Sequence, residues 1–128
     1  MKILGFYDEL WPYATGTDGS IKAHTSTSRE PDTDRVRQYL DTGDLILAIM
    51  SNDPDVMGGD RQIFNGSSIR TDGEYLWRQD LGHYYDNYDL RLPAAFLAQV
   101  RELDYQVPEV SDGQAAEVDA LVTPLLNP

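Results

Sequence analysis

The residues of this chain that could carry chemistry are two histidines and a scatter of carboxylates. His83 lies in a predicted helix with Asp80 and Asp86 three residues to either side, a spacing that lets an imidazole pair with a carboxylate. Such a pair could transfer protons if it faced a cleft. Helical Asp/His spacing arises easily by chance, so we interpret His83 as a salt-linked surface residue. Neither it nor His24 belongs to a metal-ligand motif, and we predict no catalytic residue.

A second candidate site is the acidic loop formed by Asp53, Asp55 and Asp60 around a glycine pair. Alternating carboxylates near glycine are typical of calcium loops, but the spacing here is wrong. An EF-hand starting at Asp53 needs an oxygen ligand at its fifth position and a glutamate at its twelfth, where this chain has Met57 and Phe64. We therefore predict no metal and no cofactor, and interpret the loop as a solvated or partner-binding surface.

The sequence signatures of several common enzyme classes are absent from this chain. It contains no G-x-S-x-G, no phosphate-binding glycine loop and no dinucleotide fingerprint. It has no cysteine, which excludes disulfides, thiolate metal sites and a cysteine nucleophile, and agrees with a reducing cytosol. The amino terminus has one basic residue and meets Asp8 and Glu9 before a signal-peptide hydrophobic region develops. We predict a cytoplasmic protein.

The charge of the chain is strongly negative and unevenly distributed. Twenty-two acidic and ten basic residues leave a net charge of -12. Residues 38–60 carry five acids and residues 102–128 carry six, and neither segment has a Lys or Arg. Such a surface repels nucleic acid and anionic membranes and attracts a basic protein, although solubility alone would also explain it. The predicted partner-binding residues are Asp53, Asp55, Asp60, Glu109, Asp112, Glu117 and Asp119.

The strand pattern predicts one sheet of about four or five strands. Residues 1–7 and, more weakly, 20–25 are rich in β-formers. Residues 45–50 form a continuous apolar run that favours a central strand, and residues 51–60 read as loop. The Asp72-Gly73 pair in the middle of residues 67–77 predicts a tight hairpin, because these residue types adopt the positive φ angles of such turns.

Helical periodicity predicts the first two helices. One begins near Asp32 or Thr33 and ends near Gly43, which stands where a left-handed cap belongs. The second has an apolar stripe of Leu81, Tyr84, Tyr85 and Tyr88, preceded by Asp80. Together with Tyr75 and Trp77, the three tyrosines of this stripe are predicted to be mainly core residues.

Two further helices complete the predicted fold. Leu92-Pro93 opens the third, because proline at the first helical position loses no hydrogen bond that it needs. The last spans residues 112–122, with Ser111 and Gln114 spaced as a capping box, and Pro124 should end it. We expect a single α+β domain, residues 1–128, with a mainly antiparallel sheet packed by three or four helices.

A family resemblance is carried by residues 71–81, Thr-Asp-Gly-Glu-Tyr-Leu-Trp-Arg-Gln-Asp-Leu, continuing through Tyr84-Tyr85 and Leu92-Pro93. This pattern resembles one found in small bacterial proteins that look like immunity proteins of polymorphic toxin systems. The likeness covers residues 36–103. It implies a cytosolic antidote that binds a cognate toxin and blocks its active site, without a cofactor or chemistry of its own, and it transfers no catalytic residue.

These observations predict a protein-binding domain that neutralises a basic partner, plausibly a toxin. Two alternatives stay open. One is a small enzyme of unfamiliar type that uses His83 with Asp80 or Asp86, and the other is an acidic subunit or adaptor without a catalytic role. The oligomeric state does not follow from the sequence.

Overall fold

The predicted hairpin is the centre of the fold in the computed structural model, which describes residues 1–126. Strand β5 (Ile69–Thr71) pairs antiparallel with β6 (Tyr75–Arg78). Gly73 has a φ of +96°, and the Asp72 carboxylate accepts hydrogen bonds from the backbone N–H groups of Glu74 and Tyr75, at 2.9 and 2.8 Å. Glycine and a short acceptor side chain are what a turn this tight needs.

Two more strands flank the hairpin to make a four-stranded mixed sheet. β1 (Lys2–Ile3) pairs in parallel with β6, and β2 (Asp44–Leu47) pairs antiparallel with β5, giving the order β1-β6-β5-β2. The prediction of a central strand over residues 45–50 is therefore wrong. The apolar run was misleading because the strand stops at Leu47 and occupies an edge, where Leu45 remains 44% exposed.

A second, two-stranded sheet occupies part of the segment that the sequence predicted as loop. β3 (Asn52–Pro54) pairs antiparallel with β4 (Gln62–Phe64), and we call this pair the small sheet. Asn, Asp and Pro are poor strand formers, so propensity gave no signal for β3. The pairing exists because contacts with the rest of the domain, described below, hold both strands in place.

Within residues 1–126, four α-helices pack on these sheets: α1 (Thr33–Asp41), α2 (Leu81–Tyr88), α3 (Ala94–Glu102) and α4 (Asp112–Leu126). The α+β class, the single domain and the approximate position of each helix are as the sequence predicted. Pro93, however, precedes α3 with a non-helical ψ of 136° and is not its first helical residue. Residues 127 and 128 of the predicted domain lie outside the described residues. No helix within residues 1–126 is long and apolar enough to cross a membrane.

Two other helix ends differ from the prediction. Pro124 lies inside α4, where its missing N–H removes only one backbone hydrogen bond. Gly43 is not a left-handed cap, because α1 is already closed by Thr42, whose N–H donates to the Tyr39 carbonyl. The need for glycine comes instead from packing: a Cβ at Gly43 would lie 2.6 Å from the Trp77 ring.

Of the two strands predicted near the amino terminus, the first is shorter than predicted and the second is replaced by a short helix. The chain leaves the sheet after Ile3, and Gly5 with a φ of +64° starts a series of turns in place of the strand expected over residues 1–7. Residues 20–25 contain a short 3-10 helix, Ile21–His24, in place of a strand. Ser20 caps it by accepting a hydrogen bond from the Lys22 N–H, the kind of local bond that competes with strand formation.

The core contains an aromatic cluster on one face of β6. Trp77 stacks on Tyr39 of α1 at 6.2 Å, and Phe96 of α3 meets the Trp77 ring edge-on at 6.0 Å and the Tyr75 ring at 5.1 Å. The Trp77 indole N–H donates to the Leu40 carbonyl at 2.9 Å, so its polar atom is satisfied. This cluster fixes α1 and α3 on the hairpin. Tyr84 and Tyr85 are buried as predicted.

Candidate partner-binding surface

Two of the five carboxylates in the first acidic segment, those of Asp53 and Asp55, are turned inward. The Asp53 carboxylate accepts hydrogen bonds from the Ser51 hydroxyl at 2.5 Å and from the Ser67 backbone N–H at 3.1 Å. Because Ser67 immediately precedes the central hairpin, Asp53 joins the small sheet to that hairpin. A partner would have to compete with both bonds to use this carboxylate.

Asp55 is buried and cannot serve as a surface contact, which corrects its predicted role. One carboxylate oxygen accepts hydrogen bonds from His83 Nε2 at 2.8 Å and from the Tyr88 hydroxyl at 2.7 Å, and the other accepts from the Met57 N–H at 2.8 Å. Burial alone would raise the pKa of Asp55, but these hydrogen bonds outweigh it and hold the pKa below its usual value. The ionised carboxylate attaches the loop after β3 to α2.

The predicted pairing of His83 with Asp80 or Asp86 is wrong, because Asp55 is its partner. Asp80 is buried against the Arg78 guanidinium at 2.8 Å, and burial raises the pKa of its carboxyl to about 6 despite that cation. Asp86 bonds to Arg29 at 2.5 Å and Arg37 at 2.7 Å, and these two guanidinium groups hold its pKa below the usual value. Both aspartates therefore serve structural ion pairs.

The second acidic segment, by contrast, borders a surface groove of about 680 Å³. Its exposed acidic residues are Glu74 from the hairpin turn, Glu102 from the end of α3 and Glu109 from the segment before α4. No Lys or Arg of the described chain lines it. We call this feature the acidic groove. Its other lining residues are Asp72, Ala95, Ala98, Gln99, Leu103, Pro108 and Gln114.

One wall of the acidic groove is positioned by the start of α4. Ser111 and Gln114 form the predicted capping box: the Ser111 hydroxyl accepts from the Gln114 N–H at 3.1 Å, and the Gln114 side chain accepts from the Ser111 N–H at 2.9 Å. The Gln114 amide also reaches the Gly73 carbonyl at 3.3 Å. A local capping signal therefore also sets the distance between α4 and the hairpin turn.

The opposite wall is held where α3 ends. Tyr105, with a φ of +61°, reverses the chain, and its hydroxyl donates to Asp32 at 2.6 Å while Arg101 donates to the same carboxylate at 2.9 Å. The Arg101 guanidinium and this hydroxyl hold the pKa of Asp32 well below its usual range. Arg35 covers the Tyr105 ring at 3.8 Å. These contacts fix the segment that leads to Glu109.

The buried floor of the acidic groove also contains a satisfied carboxylate. Asp72 is 2% exposed, and its second oxygen accepts hydrogen bonds from the Tyr39 hydroxyl at 2.7 Å and from the Gln99 amide at 3.1 Å. Burial, together with this carboxylate, raises the pKa of Tyr39 well above its usual range, so Tyr39 stays a donor. Asp72 thus adds negative charge beneath the groove without offering a contact.

The remaining predicted partner-binding residues are exposed. Asp112 and Asp119 lie on α4, and neither side chain has a hydrogen bond or ion pair to a residue in 1–126. Glu117 is 3.7 Å from the amino-terminal ammonium group and lines a smaller hollow beside the acidic groove. Asp60 is exposed at the turn of the small sheet, also without a side-chain partner among those residues.

The Asp53–Asp60 loop and the acidic groove lie at opposite ends of the central hairpin. At its open end, the backbone N–H groups of Gln79 and Asp80 donate to the carbonyls of Ser68 and Gly66, and the small sheet attaches there. At its turn end, Gly73 receives the side chain of Gln114 from α4. A single compact contact centred on the acidic groove therefore does not include the Asp53–Asp60 loop.

Sequence reasoning missed Glu74 and Glu102 as members of the same site. Glu102 belongs to the acidic carboxy-terminal segment, so its charge could have been noted, but nothing in the sequence places the hairpin turn beside α3. Among the described residues, no group of three or more His, Asp or Glu side chains could hold a metal ion.

No protein-family model, curated protein or solved structure matches the chain. The functional proposal below therefore rests on the geometry of the surface and on the sequence.

Proposed function

We propose that this chain is a cytosolic protein-binding domain that recognises a basic protein through its acidic groove. The observation that carries the proposal is the convergence of Glu74, Glu102 and Glu109 from three separate elements onto one concave surface without a lining Lys or Arg. Carboxylates so placed increase the rate of encounter with a cationic partner, and the apolar lining residues supply contact area.

The class of partner we propose is a toxin. The support is the resemblance of residues 36–103 to immunity proteins, a range that includes the hairpin turn and helix α3, which border the groove. In this role the domain acts by steric and electrostatic blocking and needs no cofactor. The alternative of an acidic adaptor would use the same surface, so identifying the partner separates the two.

The test begins with capture of the tagged chain from its own cells at low salt, followed by identification of the bound protein and measurement of its association rate. The variant Glu74→Gln/Glu102→Gln/Glu109→Gln should slow association about tenfold or more, and wild-type association should fall steeply as salt rises. The control removes the same charge from three exposed aspartates outside the groove: Asp34→Asn, Asp44→Asn and Asp60→Asn.

If both triple variants weaken the binding of a basic partner equally, the contact is not centred on the acidic groove, and the proposed role of the groove is contradicted. A partner without excess positive charge, or association that does not respond to salt, would contradict the electrostatic basis of the proposal.

One observation favours a second candidate function, an enzyme that uses His83. This imidazole is paired with the buried Asp55 and lines a cleft of about 250 Å³ that also contains Arg37 and Arg70. Against it, the second ring nitrogen is engaged by the Asn87 amide at 3.3 Å, so neither nitrogen is available to a substrate without rearrangement.

The two functions predict different results for two variants at this cluster. His83→Ala would abolish an enzymatic activity, whereas Tyr88→Phe removes a hydrogen bond to the same Asp55 carboxylate and leaves the imidazole in place. An activity lost only in His83→Ala, with both variants folded, would favour the enzyme.

A further inference from the structure

The outward face of the small sheet carries the most exposed apolar side chains of the described residues. Asn52 and Phe64 are directly opposed in its register and therefore point to the same side. The Asn65 N–H donates to the Ser51 carbonyl at 2.8 Å, which extends the pairing by one step and brings Met50 to this face. Met50 is 95% exposed and Phe64 is 75% exposed. The whole face consists of Met50, Asn52, Pro54, Gln62 and Phe64.

The polarity of the small sheet is reversed relative to a sheet that faces water on one side. Its inward residues include the carboxylates Asp53 and Asp55, each held by the hydrogen bonds described above. Its outward residues include the two large hydrophobic side chains with the highest exposed fractions among the described residues, Met50 and Phe64. A sheet with one solvated face normally carries its charged residues outward, and a charge is the usual protection of an exposed pair of strands against association.

This outward face also carries no charge, although the chain has a net charge of -12. Two copies of such a chain repel one another wherever their acidic surfaces approach, so they can meet closely only through a face that is free of charge. Uncharged apolar surface on both sides is complementary to itself. A cationic partner, in contrast, gains no electrostatic attraction from it.

We propose that the outward face of the small sheet is a self-association surface whose occupant is a second copy of this chain. A two-fold axis would bring Phe64 of one copy against Met50 of the other, because an isologous contact uses the same patch twice. The face lies at the open end of the central hairpin and the acidic groove at its turn end, so both copies keep their grooves accessible.

The size of the face sets the strength of the contact. Five side chains per copy bury less than the roughly 1,000 Å² that marks a stable specific interface. The dimer is therefore weak and reversible, and forms at high protein concentration or when the chain is held at high local density by a bound partner.

Sedimentation equilibrium of the full chain over a wide concentration range tests this proposal. We expect a monomer–dimer equilibrium that shifts toward dimer as salt rises from about 0.02 M to about 0.5 M, because salt screens the repulsion between like-charged copies. Phe64→Ser, or Met50→Ser if the first variant does not fold, should raise the dimer dissociation constant at least tenfold. The matched control is Tyr13→Ser, which removes an aromatic ring that is 65% exposed outside the small sheet.

A protein that stays monomeric at every concentration and salt level would overturn the proposal, as would an equal loss of dimer in the Tyr13→Ser control. Capture of a different chain through Phe64 by a monomeric protein would also overturn it. The direction of the salt effect distinguishes this contact from the acidic groove: salt strengthens the dimer and weakens binding of a basic partner. Failure of either leaves the other standing.

Discussion

Neutralising Asp55 should destabilise the fold, whereas neutralising Asp60 in the same acidic segment should not. The substitution Asp55→Asn keeps the size of the side chain but replaces one acceptor oxygen by an NH2 group. In one orientation of the amide, its NH2 group faces the donors of His83 and Tyr88, and in the other it faces the Met57 N–H. Either way a donor then meets a donor.

The magnitude follows from these contacts. A hydrogen bond to a charged group contributes about 1.5–3 kcal/mol, and leaving a buried donor unsatisfied costs about 1–3 kcal/mol. Because the three bonds share one carboxylate and are not additive, we expect the free energy of unfolding to fall by about 2–3 kcal/mol. For 128 residues the unfolding entropy is about 270 cal/mol/K, so the melting temperature should drop by about 7–11 °C.

Thermal and urea unfolding, followed by circular dichroism at neutral pH, measure this difference against the Asp60→Asn control. The contribution also depends on pH. The folded pKa of Asp55 is lowered, so the ionised carboxylate stabilises the fold fully above the unfolded value of about 4, and this stability is lost as the pH falls through the folded pKa. The gap between wild type and Asp55→Asn should therefore narrow on acidification. Equal stability of the two variants at neutral pH would refute the structural role of Asp55.

Two further predictions concern stability. Gly43→Ala should lower the free energy of unfolding by about 1–3 kcal/mol, because the added methyl group would overlap the buried Trp77 ring. The control Gly113→Ala, in the open first turn of α4, should be neutral or stabilising. Equal melting temperatures of the two variants would contradict this prediction. Burial raises the pKa of Asp80 to about 6 against the opposing effect of Arg78, so wild type should lose stability relative to Asp80→Asn as the pH rises from about 4 to about 7; parallel urea midpoints across that range would count against it.

The parts of the fold that the sequence predicted are those specified by local chemistry. The turn at Asp72-Gly73 and the capping box of Ser111 and Gln114 involve residues within three positions of one another, so their spacing is visible in the sequence. The edge position of β2 was not visible, because an apolar run does not tell how many neighbours a strand has. β3 was missed because its pairing depends on tertiary contacts that override the poor strand propensity of Asn52 and Pro54.

The candidate site was predictable in charge but not in position. Counting acids selected Glu109, which borders the acidic groove, yet it gave equal weight to Asp55, whose charge is used internally. Whether a carboxylate faces water depends on the partners that the fold brings to it. His83 is 28 residues from Asp55, and no local spacing rule connects the two.

The pairing of β1 with β6 has a consequence for the order in which the chain can fold. Lys2 and Ile3 cannot form their strand pairing until Tyr75 and Leu76 have been synthesised, about 70 residues later. At a synthesis rate of about 5–20 residues per second, the first strand stays without its partner for several seconds. The hairpin strands β5 and β6 are separated by only a few residues and can pair first. Strand β1 therefore docks only after β6 has been made, and a bulky fusion at Met1 should slow maturation of the domain more than it alters the finished fold.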